Sequence, residues 1–283
     1  MEWIERLNSA INYIEEHLAD EIDLNQVAKI ACCSTYHFQR MFAYMTDTNL
    51  SDYIRRRKMS RAAVDLRDGS NKVIDISLKY GYDSPTAFNR AFKMIHGIAP
   101  SQVREDGVNL KAYPPVSFKI TIKGESELDY RIEAKEAFRI VGIAKPLEQE
   151  MEKNFEMVPR MWGEAAANGT IARLAALMDS EPFGLLGVSA CNELQNWKYY
   201  IAVSSNQTLE NGLEEYMVPA STWAIFSGSG TGLSIQDLEK RIVTEWLPTS
   251  GYEYGNAPDI EVYLNNDPEN VKYEVWIPVI RVS

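Results

Sequence analysis

The sequence predicts a multidomain protein in which an all-α region is followed by an α+β region. In the first hundred residues, apolar side chains recur every three or four positions, as on the buried face of a helix. After Pro114 and Pro115, apolar and polar residues alternate in runs that are typical of strands. The order strand, helix, strand, strand then occurs twice, which predicts two repeats of one structural unit.

The chain is long enough for this organisation. It has 283 residues, of which 45% are hydrophobic, and that is sufficient to bury two separate cores. We therefore expect a first domain over residues 1–106, a linker over residues 107–116 and a second domain over residues 117–283.

Charge is distributed unevenly between these regions. The formal net charge of the chain is −11, but residues 24–104 hold thirteen Lys and Arg against six Asp and Glu, a net charge of +7. Residues 1–23 carry −6 and residues 105–283 carry −12. One basic block inside an acidic protein predicts that this block alone contacts a polyanion.

The remaining composition restricts location and chemistry. No stretch approaches eighteen consecutive apolar residues, and the charged N-terminus lacks the apolar run of a signal peptide. Cys32, Cys33 and Cys191 cannot form a paired disulfide framework. We interpret Cys32 and Cys33 as small buried residues at a helix junction, with redox sensing as the alternative. The composition predicts a cytoplasmic protein with no metal, no cofactor and no membrane contact.

Six helices are predicted in the first region. One face of the first helix is formed by Trp3, Ile4, Leu7, Ile11, Ile14 and Leu18. "DLNQVAKIA" and "STYHFQRMFAYM" form a helix pair with a tight turn, and Ser34 is the N-cap of the second member. A helix of eighteen residues, Leu50 to Arg67, ends at "DGSN". "VIDISLKYGY" and "DSPTAFNRAFKMIHG" form a second pair, with Ser84 as N-cap and Pro85 at the first helical position.

In the second region we predict the elements of two repeats. The first repeat comprises a strand over about 129–145, a helix over about 153–178, and strands over 184–191 and 197–204. The second comprises a strand over about 215–227, a helix over 234–247, and strands over 258–264 and 273–280. "VSFKITI", residues 116–122, is a further candidate strand.

One five-residue pattern occurs in both helix pairs, as "FQRMF" from Phe38 to Phe42 and as "FNRAF" from Phe88 to Phe92. Two rings four positions apart share a helical face and can anchor the helix on its own core. Its outer side chains then face a partner, and the major groove of B-DNA has room for such a helix. The eighteen-residue helix between the pairs spans about 27 Å, close to the ~34 Å between successive major-groove faces.

These motifs carry a resemblance to a known family. "FQRMF", "YIRRRKMSRA", "DISLKYGYDSPTAFNRAFK" and "GIAPSQVR" occur in order and together resemble the DNA-binding domain of AraC/XylS-family transcription regulators, over about residues 5–106. The resemblance implies tandem helix-turn-helix motifs that bind promoter DNA, with RNA polymerase as a further partner. The family often has Gly in the first turn, where this chain has Cys32, so we expect a locally adjusted turn.

The resemblance also implies which residues contact DNA. Its base-reading positions carry over by motif to Tyr36, Gln39 and Arg40 in the first recognition helix, and to Thr86, Ala87 and Arg90 in the second, with Asn89 and Lys93 nearby. These residue types suit base reading, because Arg bridges guanine O6 and N7, Gln pairs with adenine, and Thr or Ala packs on the thymine methyl. Arg55 and Arg57, in the cluster "RRRKMSR", are expected to contact phosphates.

Residues 117–283 resemble the GyrI-like effector-binding domain, which also occurs in Rob-type regulators and is fused to MerR-family multidrug sensors. The resemblance depends on the duplicated unit, on "PDIEVYLNN" and on "YEVWIPVI". It implies that Glu261 contacts a cationic ligand. Strand alternation places Tyr263 on the face of Glu261, and Trp276 on the face of Glu274. A carboxylate among aromatic rings suits a bulky organic cation.

Other aromatic residues are candidates for the same pocket. Each of them either lines it or fills the core: Trp162, Trp197, Tyr199, Trp223 and Trp246. Of these five, we assign Trp197 and Trp223 to the pocket. The sequence therefore predicts a transcription regulator whose activity depends on a small cationic or amphipathic effector.

Two alternatives concern the second domain. One is hydrolysis of electrophilic small molecules, with Glu261 activating water, although His17, His37 and His96 all lie in the first region and no Ser-His-Asp set is visible in the second. The other is a protein-binding module.

Overall fold

The computed structural model describes residues 3–69, 71–119, 127–148, 151–191, 197–265 and 270–281. The chain divides into two compact units, Met1–Ile120 and Thr121–Ser283. The expected linker, residues 107–116, therefore lies within the first unit. In the described parts of the chain, no helix combines the length and apolar composition needed to cross a bilayer.

The first unit contains the six predicted helices. They are α1 (Trp3–Glu16), α2 (Leu24–Ile30), α3 (Thr35–Thr46), α4 (Leu50–Arg67), α5 (Val73–Lys79) and α6 (Pro85–His96), followed by a 3₁₀ turn, Pro100–Gln102. Local capping explains where the second helix of each pair starts. The hydroxyl of Ser34 accepts a hydrogen bond from the amide of His37 at 3.1 Å, and that of Ser84 accepts one from the amide of Ala87 at 3.5 Å.

Two small cores hold these helices. Phe38 and Phe42 are buried beneath α3, where the ring of Phe42 packs against that of Tyr53 on α4, and Leu7 and Ile11 of α1 are also buried. The second core joins α4, α5 and α6, and its members include Met59, Leu66, Ile76, Tyr80, Phe88 and Phe92. Each paired-ring motif therefore anchors its helix from beneath, as predicted from the spacing.

The second unit is α+β. Its strands are β1 (Tyr130–Lys135), β2 (Phe138–Pro146), β3 (Leu185–Cys191), β4 (Trp197–Ser204), β5 (Glu214–Val218), β6 (Ser221–Gly230), β7 (Tyr252–Tyr254), β8 (Asp259–Tyr263) and β9 (Val271–Arg281). Its helices are α7 (Met151–Ala167), α8 (Thr170–Leu177) and α9 (Gly232–Arg241), and α9 continues into a π-helical turn, Ile242–Trp246.

The strands form an antiparallel sheet in the order β1-β6-β9-β8-β3-β4-β2-β5, with β7 paired to β9. The two predicted repeats meet at the centre, where β3 pairs with β8 and Gly187 lies opposite Glu261. The edge strand of each repeat pairs with a strand of the other repeat. β1 of the first repeat pairs with β6 of the second, and β5 of the second repeat pairs with β2 of the first. The repeats therefore share one continuous sheet.

The two sheet faces bury different clusters. On one face, α7 and α8 cover Val141, Tyr199 and Ile201. The opposite face buries a cluster that includes Val188, Trp223, Ile260 and Trp276. Because side chains alternate along each strand, this division decides which of the predicted effector residues can meet.

Several element predictions require correction. The single strands predicted over 129–145 and 215–227 are each two strands, and the helix predicted over 153–178 is interrupted at Gly169, whose φ is 82°. In "VSFKITI", residues 116–119 have no regular structure and residues 120–122 lie outside the described residues. β7 was not predicted.

Cys32 also differs from the expectation that it is buried. It is exposed and Cys33 is half-buried. Cys32 has a φ of 55°, in the left-handed region that favours glycine. The turn between α2 and α3 is thus adjusted at the position where the family often has Gly.

Candidate nucleic-acid interface and effector site

The outer face of α6 is open to solvent. Phe88 and Phe92 are fully buried beneath the helix. Thr86, Asn89, Arg90 and Lys93 lie on the opposite side and are exposed, as is Ala87. The helix therefore presents a hydroxyl, an amide and two cations on one surface, which are the groups that read base edges and contact phosphates.

The outer face of α3 carries the residues expected for the first recognition helix. Tyr36, Gln39 and Arg40 are half-buried and lie away from Phe38 and Phe42. The Nε of Arg40 donates to the hydroxyl of Tyr44 at 3.3 Å, and its guanidinium lies 5.6 Å from the centre of that ring. Tyr44 thus orients the side chain that we expect to read a base.

Arg55 and Arg57 on α4 differ in their exposure to solvent and in their ion-pair partners. Arg55 is paired with Asp52, which also binds Arg56 at 3.1 Å, and 41% of the Arg55 side chain is exposed. Arg57 is buried, and its Nη2 lies 2.5 Å from Glu15 Oε2. Its Nη1 donates to the backbone carbonyl of Tyr113. The expectation that Arg57 contacts phosphate is therefore corrected, because its donors are used inside the first unit.

The Glu15–Arg57 pair affects the ionisation of both groups. Burial alone would raise the pKa of Glu15, but hydrogen bonds from Arg57 and Tyr53 outweigh it and lower that pKa below its ordinary value. The hydrogen bond to Glu15 raises the pKa of Arg57. Both groups are thus charged near neutral pH, and removal of one partner would leave an uncompensated buried charge.

The candidate effector site surrounds Glu261 on β8. Its Oε2 accepts hydrogen bonds from the hydroxyl of Tyr263 at 2.8 Å and from that of Tyr199 at 3.1 Å. On α7, the indole Nε1 of Trp162 donates to the Tyr199 hydroxyl at 2.9 Å, and its ring lies 4.8 Å from that of Tyr263. The result is a half-buried carboxylate bordered by three aromatic side chains.

Gly187 makes room for this arrangement. A Cβ at this position would collide with the Tyr199 hydroxyl and lie 2.6 Å from Glu261 Oε2. The placement of the Tyr199 hydroxyl and the Glu261 carboxylate therefore requires a residue without a side chain at position 187. Sequence reasoning did not identify Gly187, since its role depends on the strand register.

Three residues expected beside Glu261 lie on the other face of the sheet. The register pairs Glu261 with Val275, so Glu274 and Trp276 project away from it. The carboxylate of Glu274 binds Arg131 at 2.8 Å and accepts from the Trp276 indole at 2.8 Å. Trp223 is fully buried, and its ring centre lies 6.0 Å from that of Trp276. The expectation that these residues line the Glu261 pocket is therefore corrected.

Trp197 has a different position. It lies two residues before Tyr199 on β4 and on the same face, paired with Cys191, and it is half-buried. Trp162 and Tyr199, for which a core role and a pocket role were both open, are in direct contact with the Glu261 cluster.

Known proteins resemble both units. A family described as integron-associated effector binding protein matches residues 131–279, and a helix-turn-helix domain family matches residues 27–106. The Right origin-binding protein of Escherichia coli K12 is 26% identical over 95% of this chain and 96% of its own length. The regulatory protein SoxS of the same organism is 36% identical over 35% of this chain and 92% of its own length. A solved integron cassette protein from the mobile metagenome of Vibrio cholerae is 14% identical, covers 53% of this chain and 95% of its own, and has a TM-score of 0.39.

Proposed function

We propose that a lipophilic organic cation, bound at Glu261, modulates the binding of this protein to DNA. The second unit of the chain belongs to the integron-associated effector binding family. The first unit belongs to the AraC-type helix-turn-helix regulators. The protein is a DNA-binding transcription regulator with an effector-binding domain. Our proposal concerns the chemistry of the effector and the residues that bind it.

The observation that supports a cationic effector is the Glu261 cluster. Two tyrosine hydroxyls orient the carboxylate, and the rings of Tyr263 and Trp162 stand beside it. An ammonium or phosphonium ion gains from the opposite charge and from the faces of the rings, whereas an anion meets repulsion. The net charge of −12 on residues 105–283 also attracts cations.

The proposal extends to the other partners. Base contacts are assigned to Tyr36, Gln39 and Arg40 on α3 and to Thr86, Ala87, Asn89 and Arg90 on α6, with Lys93 and Arg55 near phosphates. In this proposal the protein acts in the cytoplasm, cooperates with RNA polymerase, and binds its effector without turning it over.

The effector assignment is tested with tetraphenylphosphonium as the probe and the full chain as the protein. Calorimetry measures cation binding, and fluorescence anisotropy measures affinity for a DNA site selected by the full chain. Glu261→Gln should weaken cation binding roughly tenfold or more, since the opposite charge is lost from a partly desolvated site. It should also abolish the effect of the cation on DNA affinity.

Glu274→Gln is the matched control, because it removes the same charge from the other face of the same sheet. Its cation affinity should equal that of the wild type. A Glu261→Gln protein that binds the cation as tightly as the wild type contradicts the site. Absence of cation binding by the wild type favours a protein-binding second unit, and release of a hydrolysed product from an electrophilic ester favours the hydrolase alternative.

A further inference from the structure

The segment 108–118, which follows the second helix pair, is bound along the first unit although it forms no helix or strand. We call it the brace. Its inward positions, including Leu110, Tyr113, Val116 and Phe118, are half-buried or buried, whereas Pro114 and Pro115 are exposed. A flexible tether would not have buried side chains at regular intervals between exposed ones.

One end of the brace is attached to the second helix pair. The backbone amide of Lys111 donates to Nδ1 of His96, at the end of α6, at 3.2 Å. The other ring nitrogen, Nε2, lies 3.1 Å from the carbonyl of Met59 on α4. Burial lowers the pKa of His96, so the neutral ring can accept from Lys111 and donate to Met59. Leu110 and Tyr113 pack against the core of this pair.

The middle of the brace is attached to α4. The amide of Tyr113 donates to the hydroxyl of Ser60 at 3.1 Å, and its carbonyl accepts from Arg57. The guanidinium of Arg56 lies 5.3 Å from the centre of the Tyr113 ring. Pro114 and Pro115 follow and have no backbone donor to satisfy. They fix φ and favour an extended, stiff conformation between the two attachment regions.

The other end of the brace is attached to α1 and α4, and it contacts the first helix pair through α3. The amide of Val116 donates to the hydroxyl of Tyr53 at 3.2 Å, and that hydroxyl donates to Glu15 on α1 at 2.7 Å. The side chain of Asn8 accepts from the amide of Phe118 at 2.8 Å and donates to its carbonyl at 3.0 Å. The ring of Phe118 packs edge-on against Phe42 of α3, with their centres 6.2 Å apart.

These contacts form a second connection between the two helix pairs. The first connection is α4, on which both pairs pack. A single eighteen-residue helix can bend, whereas two connections attached at both ends resist bending and twisting together. We propose that the brace is a positioning element that fixes the spacing of α3 and α6, so that Asn8, Pro114 and Pro115 determine which separation of half-sites the protein accepts.

This inference rests on the proposal that both α3 and α6 read DNA. Adding one base pair between half-sites shifts the second by ~3.4 Å and rotates it by about 35°. A rigid pair of recognition helices loses contacts after such a change, whereas a loose pair adapts. The brace therefore increases discrimination between spacings and leaves each half-site contact unchanged.

The test compares the wild type, Asn8→Ala and the double variant Pro114→Gly/Pro115→Gly, all as full chains. Affinity is measured by anisotropy for a selected two-part site and for the same site with one or two base pairs inserted or removed between its halves. We expect the wild type to lose about tenfold or more in affinity per altered spacing. In both brace variants this penalty should fall to about twofold.

The double proline variant protects the test against loss of folding, because both prolines are exposed and donate no hydrogen bond. Asn168→Ala, in the second unit, is the control for Asn8→Ala. A purely structural role would lower the melting temperature and weaken all spacings equally, which would overturn the inference. Unchanged spacing preference in folded variants would also overturn it. A wild type without any spacing preference would instead contradict reading by both helices.

Discussion

Arg57 and Arg90 show how the surroundings of one residue type determine its role. Arg90 is on the exposed face of α6, free of the core beneath that helix, whereas Arg57 forms a buried ion pair with Glu15. Successive helical residues turn by about 100°, so neighbours in "RRRK" point in different directions. Glu15 lies 42 residues earlier in the chain. The run of Arg and Lys residues predicts a basic surface. Which of these arginines is instead buried depends on Glu15, which is distant in the sequence.

Gly187 provides a prediction at the same scale. Gly187→Ala should displace the Tyr199 hydroxyl and the Glu261 carboxylate, which are ends of flexible side chains. Cation affinity should fall roughly tenfold, equivalent to about 1.4 kcal/mol, with little change in melting temperature. Calorimetry and thermal denaturation of the full chain measure the two quantities.

Gly142→Ala is the contrasting variant. Its Cβ would meet the backbone carbonyl of Ile201 and lie 2.6 Å from the Cα of Ala202. Backbone in the middle of a sheet cannot move aside, so we expect a lower melting temperature for the second unit. A cation affinity in Gly187→Ala equal to that of the wild type would show that Gly187 does not shape the site.

At the scale of elements, the periodicity of apolar residues and the capping residues predicted the helices. They did not predict the register in which the strands pair. The bounds of α4 and β4 agree with prediction, because apolar spacing and breaker residues act locally. The face on which Glu274 and Trp276 lie depends on the pairing of β8 with β9. A shift of one residue would reverse every side chain of the strand, and no local pattern records that choice.

A prediction for single elements concerns the N-caps of α3 and α6. Ser34→Ala removes the hydroxyl that accepts a hydrogen bond from the His37 amide at 3.1 Å. Ser84→Ala removes the hydroxyl that accepts one from the Ala87 amide at 3.5 Å. The first change should cost about 1 kcal/mol of local stability. The second should cost less, because the hydrogen bond is longer and Pro85 already favours the helical start.

Hydrogen exchange of the full chain measures both effects. Amides of α3 should exchange about fivefold faster in Ser34→Ala, with a smaller change for α6 in Ser84→Ala. An effect in Ser84→Ala that equals or exceeds the effect in Ser34→Ala would contradict this ranking of the caps.

At the scale of the whole molecule, composition and chain order predicted two regions of opposite net charge. The basic block lies within the first unit, and the acidic residues 105–283 extend through the second. Two features were not predictable from local patterns. The edge strands are exchanged between the repeats, and residues 107–116 belong to the first unit. Both depend on contacts between residues that are far apart in the sequence.

The central claim is that one chain reads DNA with two helices, through Arg40 on α3 and Arg90 on α6. Selection of bound sequences from a random DNA pool tests it most directly, with the full-length wild type, Arg40→Ala, Arg90→Ala and the control Arg160→Ala, whose side chain is 70% exposed in the second unit. Each reading contact should contribute about 1–3 kcal/mol.

We expect the wild type and Arg160→Ala to select the same two-part motif, with its halves about one helical turn apart. Arg40→Ala should lose preference in one half only, and Arg90→Ala in the other. Selection of an unchanged motif by either variant, or of a single undivided motif by the wild type, would contradict the account.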